Sequence, residues 1–179
     1  MIARLRSSRA TGWPLPLLGF ALAYPLIGEG VPDLDLGSIR IYWEAFLIPL
    51  SLLFGWGGIF GVATGALLMR LYLLLSGQED LTPGFLAIQS VAFLGGLSLA
   101  YYIVNRYPSL EGYVVGTAAF TAVVTLIVGG YWAATTGQMG VMVEVLVASI
   151  VPVNFAGPLL LHVSFRWVGG TLRGETQRP

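Results

Sequence analysis

The chain has no cysteine and no lysine, and its only histidine is His162. Without cysteine there is no disulfide framework, no thiolate nucleophile and no sulfur-ligated zinc or iron–sulfur centre. Without lysine there is no Schiff base to retinal and no amine base or nucleophile. One histidine provides neither the paired axial ligands of a bis-histidine haem nor a multi-histidine metal site. These absences leave no metal or cofactor to expect. Charge is scarce too: only 10% of the 179 residues are charged, all nine basic residues are arginine, and the formal net charge is zero. Nucleic acid would require a basic surface, and so little charge cannot cover a globular protein of this size.

What is abundant is apolar sequence, 56% of the chain, for which the fitting solvent is a bilayer. A crossing helix needs about 20 mainly apolar residues. Cut on that ruler wherever charge or turn residues gather, the sequence predicts helices near 13–28, 41–54, 59–75, 84–104, 113–135 and 141–168. The links EGVPDLDLGSIR, SGQEDLTP and NRYPSLEG carry the Pro, Gly, Ser and acidic residues of ordinary turns. The expected fold class is all-α: a single domain, 1–179, forming an integral membrane bundle of six transmembrane helices and a short polar tail, 169–179.

The stretch from Ile41 to Leu75 is too long for one crossing, about 50 Å as a single helix. Adjacent glycines in GWGG favour a cut there into a tight hairpin; the alternative, one long tilted helix, would give five crossings and termini on opposite sides. Arginine placement favours six. It gathers Arg4, Arg6, Arg9, Arg106, Arg166, Arg173 and Arg178 at one face and leaves Arg40 at the other, so both termini are expected to be cytoplasmic. The basic, then apolar start resembles a signal peptide, but Pro14 and Pro16 break its apolar part, and it is read as the first helix.

Ionisable groups at membrane depth are costly unless paired or hydrated, which makes them functional candidates. This topology places Tyr42, Trp43 and Glu44 at the outer start of helix 2 and Arg70 and Tyr72 near the outer end of helix 3. Gln89 falls early in helix 4, Tyr131 and Trp132 end helix 5, and Glu144 lies one turn into helix 6. One reading makes the aromatics an interfacial belt, with Glu44 or Glu144 neutralising Arg70. The other is an outward-facing cavity for a small polar or flat molecule, with Glu44, Arg70, Gln89, Trp132 and Glu144 as substrate-binding residues. Asn154, between Pro152 and Pro158, is expected to be a helix–helix hydrogen-bond partner, and His162 to be structural.

Small residues stripe helix 3 at Gly58, Gly61 and Gly65 with Ala63 and Ala66, interrupt helix 4 at Gly95 and Gly96, and recur on helix 1 as Gly19 and Ala23. They fit internal packing or a partner protein equally. The length, the six helices and the string PLSLLFGWGGIFGVATGALL resemble the substrate-binding S components of energy-coupling-factor (ECF) vitamin transporters. Pro49, Phe54, Gly55, Gly58, Gly61, Gly65 and Ala66 fall on the family's P-x(4)-F-G-P-x-x-G-x-x-x-G-A pattern; Trp56 stands where the family often has proline.

The resemblance implies a plasma-membrane binding subunit without ATPase activity, capturing a vitamin-like molecule from outside and working with a transmembrane coupling protein and ATPase subunits. On that reading Arg70 pairs an acidic substrate group, Trp132 stacks on a ring, and Gly19 and Ala23 dock the partner. The alternative is an accessory or structural transmembrane subunit of a larger complex with no ligand of its own, contacting lipid and protein alone. A sensor input would be expected to continue into an output domain beyond helix 6. An intramembrane hydrolase would need a serine and histidine at one depth and on one side of a helix; His162 and Ser164, two residues apart, point to different sides.

Overall fold

Each helix starts and stops where local chemistry dictates. The structure, a computed structural model, describes residues 14–35, 40–77, 82–107, 109–149 and 153–154. Helix α1 spans Pro14–Gly30, and a two-residue antiparallel ladder of β1, Leu34–Asp35, with β2, Arg40–Ile41, follows it. Next come a 3₁₀ turn, Trp43–Phe46, helix α2, Leu47–Ser51, and a second 3₁₀ turn, Leu52–Phe54. Helix α3, Gly55–Ser76, ends on Gly77, whose φ of 68° is left-handed and suits glycine. Helix α4, Pro83–Arg106, has Pro83 in its first turn and is capped by Thr82, whose hydroxyl accepts from the Phe85 amide at 3.2 Å. Helix α5, Leu110–Val124, is capped by Ser109, widens into a π turn over Thr125–Gly129, and resumes as α6, Gly130–Thr136. Helix α7, Gly140–Ser149, is the last helix whose bounds fall among the described residues.

Among the described residues, three helical stretches are long and apolar enough to cross a membrane: Trp43–Ser76, Pro83–Arg106 and Leu110–Thr136. The first is folded back on itself. A methyl added at Gly28 would meet the Met69 sulfur at 2.7 Å and the Glu44 carboxyl carbon at 3.4 Å, so Glu44 and Met69 lie together. In an unbroken helix, 25 residues would hold them about 37 Å apart. The reversal is at Gly55, with φ 63° and ψ −145°, a conformation open to glycine and to few other residues. The hairpin expected from the sequence is therefore present, its corner on the first glycine of GWGG; helix α3 begins on that glycine rather than after GWGG, and Gly58 lies against the Ser51 carbonyl.

The descending arm, 43–54, is not the regular helix expected over 41–54. It is two 3₁₀ turns flanking five α-helical residues, about 21 Å long at 1.5 Å per α and 2.0 Å per 3₁₀ residue, against about 30 Å for a hydrocarbon core. Its shortness follows from what it connects. Helices α1 and α3 run parallel: Gly61 abuts Pro16, Leu17 and Phe20, Gly65 abuts Phe20, Ala21 and Tyr24, and Gly28 abuts Met69. A parallel pair requires a return strand of chain between them, and 43–54 is that return.

The remaining helices alternate. Tyr101 of α4 packs edge-on to Trp56, ring centroids 5.3 Å apart, while Gln89 and Leu86 lie beside Arg70, so α4 is antiparallel to α3. Gly96 abuts Phe120 and Gly116 abuts the Ala100 carbonyl, which sets α5 antiparallel to α4. Gly129 touches Met142, and Asn154 reaches Thr121, so α7 and the residues after it return along α5. The expected sixth helix, 141–168, is described over Gly140–Ser149 and at 153–154; Pro152, Pro158 and His162 lie outside the described residues. So do Arg4, Arg6, Arg9, Arg166, Arg173 and Arg178, on which the expected orientation of the termini rests. The core runs along the axis as Ile59, Val62, Ala92, Leu97, Ala100 and Phe120, all at most 1% exposed.

Candidate functional site

Antiparallel packing of α3 on α4 brings Arg70 and Gln89 into one cleft, with Ser90, Phe93, Leu86 and three α3 side chains as its walls. The Arg70 and Gln89 side chains are half-buried, and the Gln89 Oε1 atom is buried without a hydrogen-bond partner among the described residues. Ser90 turns its hydroxyl back to the Leu86 carbonyl at 2.7 Å, as serines inside helices do. The space enclosed is about 10 Å³, enough for about one water molecule.

Glu44 sits one face away, at the same end of the bundle. It is 4% exposed, and its Oε2 atom is also without a partner among the described residues. Its carboxyl feels the charges of Arg70, Asp33 and Glu29. The neighbouring Tyr24, on α1, feels both Glu44 and Arg70. The turn that carries Glu44 is held against the preceding loop by Trp43, whose indole N–H donates to the Pro32 carbonyl at 3.0 Å. One end of the bundle thus concentrates an acid, a guanidinium and an amide in apolar surroundings, where each costs free energy unless it is used or hydrated.

The other two expected site residues stand differently. Trp132 packs edge-on against Phe85, centroids 5.2 Å apart, and Tyr131 tilts onto the same ring at 5.8 Å while its hydroxyl lies 3.3 Å from the Thr82 hydroxyl. Trp132 therefore closes the α4–α6 seam beside the cap of α4. Glu144 is exposed on α7, level with the π turn through the Gly129–Met142 contact. The structure joins Arg70 with Gln89 in one cleft and sets Glu44 within electrostatic reach of Arg70; it gives Glu144 no part in that cleft. Of the expected docking pair, Gly19 is exposed with open space where a side chain would project, and Ala23 is half-buried. The α3 glycines, by contrast, are spent inside the molecule against α1.

A second polar element was not singled out by the sequence reading. Thr117, Thr121 and Thr125 are 0%, 2% and 9% exposed, and their spacing of four residues puts them on one face of α5 and the π turn. Thr117 donates to the backbone carbonyls of Tyr113 and Val114 at 3.1 and 2.9 Å. Thr121 accepts from the Asn154 amide nitrogen at 3.2 Å, the helix–helix role expected for Asn154. The Thr125 hydroxyl and Asn154 Oδ1 are buried without partners among the described residues. The repeat in GTAAFTAVVT was visible as a signal, since polar side chains four apart inside an apolar span mark a buried polar stripe. Lower still, the Tyr113 hydroxyl donates to the Pro49 carbonyl and ties α5 to α2. No group of three or more His, Cys, Asp or Glu side chains that could hold a metal ion occurs among the described residues. No protein-family model matches the chain, and no curated protein or solved structure matches it.

Proposed function

We propose that this membrane-embedded helical protein is a small-molecule binding subunit of a transporter, of the ECF S-component type. In this reading six segments cross the plasma membrane, both termini are cytoplasmic, and a vitamin-like or small polar aromatic molecule is taken from the outer face. The observation that carries it is the buried Gln89 oxygen, without a partner among the described residues, in the same cleft as Arg70, with the Glu44 carboxylate nearby, one of whose oxygens, Oε2, likewise has none. A bundle that buries such groups without using them would lose stability for nothing. The closed cleft holds about one water, so a ligand would enter by parting α3 from α4 near Arg70, with Trp132 beside it. Gly19 and Ala23 on the open side of α1 would meet a transmembrane coupling protein that ATPase subunits drive.

The small size of the cleft favours one second reading: an accessory or structural transmembrane subunit with no ligand of its own. Native mass spectrometry of gently extracted protein separates the two. A bound small molecule, lost in Arg70→Ala while the assembled protein persists, supports the binding subunit. Partner chains without any small molecule, or calorimetric affinity unchanged by Arg70→Ala, discards the cleft as a ligand site.

A further inference from the structure

Of the four buried side-chain oxygens without partners among the described residues, three are related by the register of α4 on α5. Gln89 lies on the α4 face that also carries Phe85, Phe93, Gly96 and Ala100, spaced by three or four residues, and this face meets α5 and α6 through the Phe85–Trp132, Phe93–Phe120 and Gly96–Phe120 contacts. Counting back from Trp132 and forward from Phe120 along those contacts puts Gln89 level with the π turn that begins at Thr125. One helical turn below is Thr121, bonded to Asn154, whose Oδ1 is again without a partner among the described residues. Three such oxygens on three elements thus follow one another along a single seam.

Thr125 shows why the seam is not simply self-satisfied. A threonine in a helix ordinarily donates its hydroxyl back to a carbonyl three or four residues earlier, as the buried Thr117 and the exposed Thr135 do here. Thr125 stands where the helix widens into the π turn, and it makes no such bond to any described residue. Widened turns of this kind recur at functional sites. A buried polar atom is rarely left unpaired, and in hydrocarbon no solvent rescues it from outside. The cleft at the Gln89 end has room for about one water, and its walls offer what a water needs: the Gln89 oxygen to accept, the Arg70 guanidinium to donate, and the Ser90 hydroxyl oxygen.

We propose that the seam from the Arg70–Gln89–Ser90 cleft through Thr125 to Thr121 and Asn154 is a binding site for internal water, a polar file inside an otherwise apolar bundle. Water is small enough for the cleft, where it donates to the Gln89 oxygen and accepts from the guanidinium, and further waters along the seam would meet the Thr125 and Asn154 oxygens. The file lies below Glu44 and does not depend on the chain taking a transport ligand.

The test is infrared spectroscopy of the protein in lipid nanodiscs, in ordinary water and in water carrying oxygen-18, with Thr125→Val, Thr125→Ser and Gln89→Leu alongside. The expected result is a set of oxygen-isotope-sensitive stretching bands from sequestered water in the unaltered chain. Thr125→Ser keeps them, while Thr125→Val and Gln89→Leu each lose part of them, and Thr125→Val lowers the Tm. Absence of such bands from the unaltered chain overturns the proposal. So does a Thr125→Val variant whose Tm is unchanged or higher, because valine would then have replaced an unhydrated hydroxyl in a dry core. Bands present in a chain that binds no small molecule would count against the proposed function alone.

Discussion

The two halves of the bundle are closed by different means. In the N-terminal half, 14–76, α3 presses its glycines directly onto the backbone of α1: a methyl at Gly65 would stand 3.0 Å from the Phe20 carbonyl and 2.6 Å from the Tyr24 Cβ. Helices this close leave no room for polar side chains between them, and the polar groups of this half, Glu44 and Arg70, are displaced to one end. In the C-terminal half one such contact, Gly116 on the Ala100 carbonyl, is joined by side chains that fill the seam: Phe93 meets Phe120 edge-on at 5.5 Å, and a threonine file runs beside them. The contrast teaches where polarity can be stored in a protein whose outside is as apolar as its inside. Lipid provides little hydrophobic drive for helix association, so contact comes from close backbone approach or from hydrogen bonds, and each half uses mainly one of these.

The comparison breaks most visibly at Gly65. Gly65→Leu forces a side chain into the α1 backbone, and overpacking of this kind costs about 1–3 kcal/mol or more; the expected outcome is loss of the monodisperse peak in size-exclusion chromatography. Gly19→Leu, on the open side of α1, is the matched control. It should leave that peak and the Tm in place while weakening co-purification of any docking partner. Next in size is the tie between the halves: Tyr113→Phe removes the bond to the buried Pro49 carbonyl, with an expected cost of about 1–3 kcal/mol, read as a lowered Tm. Smallest is Thr121→Val, which removes the Asn154 bond. Interhelical hydrogen bonds in membranes average about 0.6 kcal/mol, so a shift of one or two degrees is expected, below that of Tyr113→Phe. A larger effect at Thr121 than at Gly65 would reverse the division between the halves.

Much of the architecture was legible because it obeys one-dimensional rules. Apolar length located the helices now seen at Pro83–Arg106 and Leu110–Thr136 to within three residues of the expected ends, since capping by Thr82 and Ser109 is a local matter. The hairpin in YWEAFLIPLSLLFGWGGIFG and its corner at GWGG were legible from the glycines, but which glycine takes the positive φ was not, because several qualify and only packing selects Gly55. The candidate site was half legible. Composition alone marks Arg70 and Gln89 as odd, whereas their shared cleft depends on the register of α3 against α4, set by Trp56 on Tyr101. Glu144 has the same chemistry as Glu44 and the opposite fate, exposed rather than buried, because Glu44 is covered by Gly28 of α1.

The sequence by itself determined the solvent of this protein: with so little charge and such long apolar runs, free energy of transfer leaves a bilayer as the place for it. It also determined which chemistry is out of reach, because absent cysteines and lysines cannot be supplied by folding. Only the tertiary structure decided that α1 and α3 run parallel, that one glycine stripe is consumed inside while Gly19 stays open, and that the Gln89, Thr125 and Asn154 oxygens are buried without partners among the described residues. Those outcomes depend on rotation and register between helices. In an apolar solvent, hydrophobic patterning does not fix rotation, and close contact does.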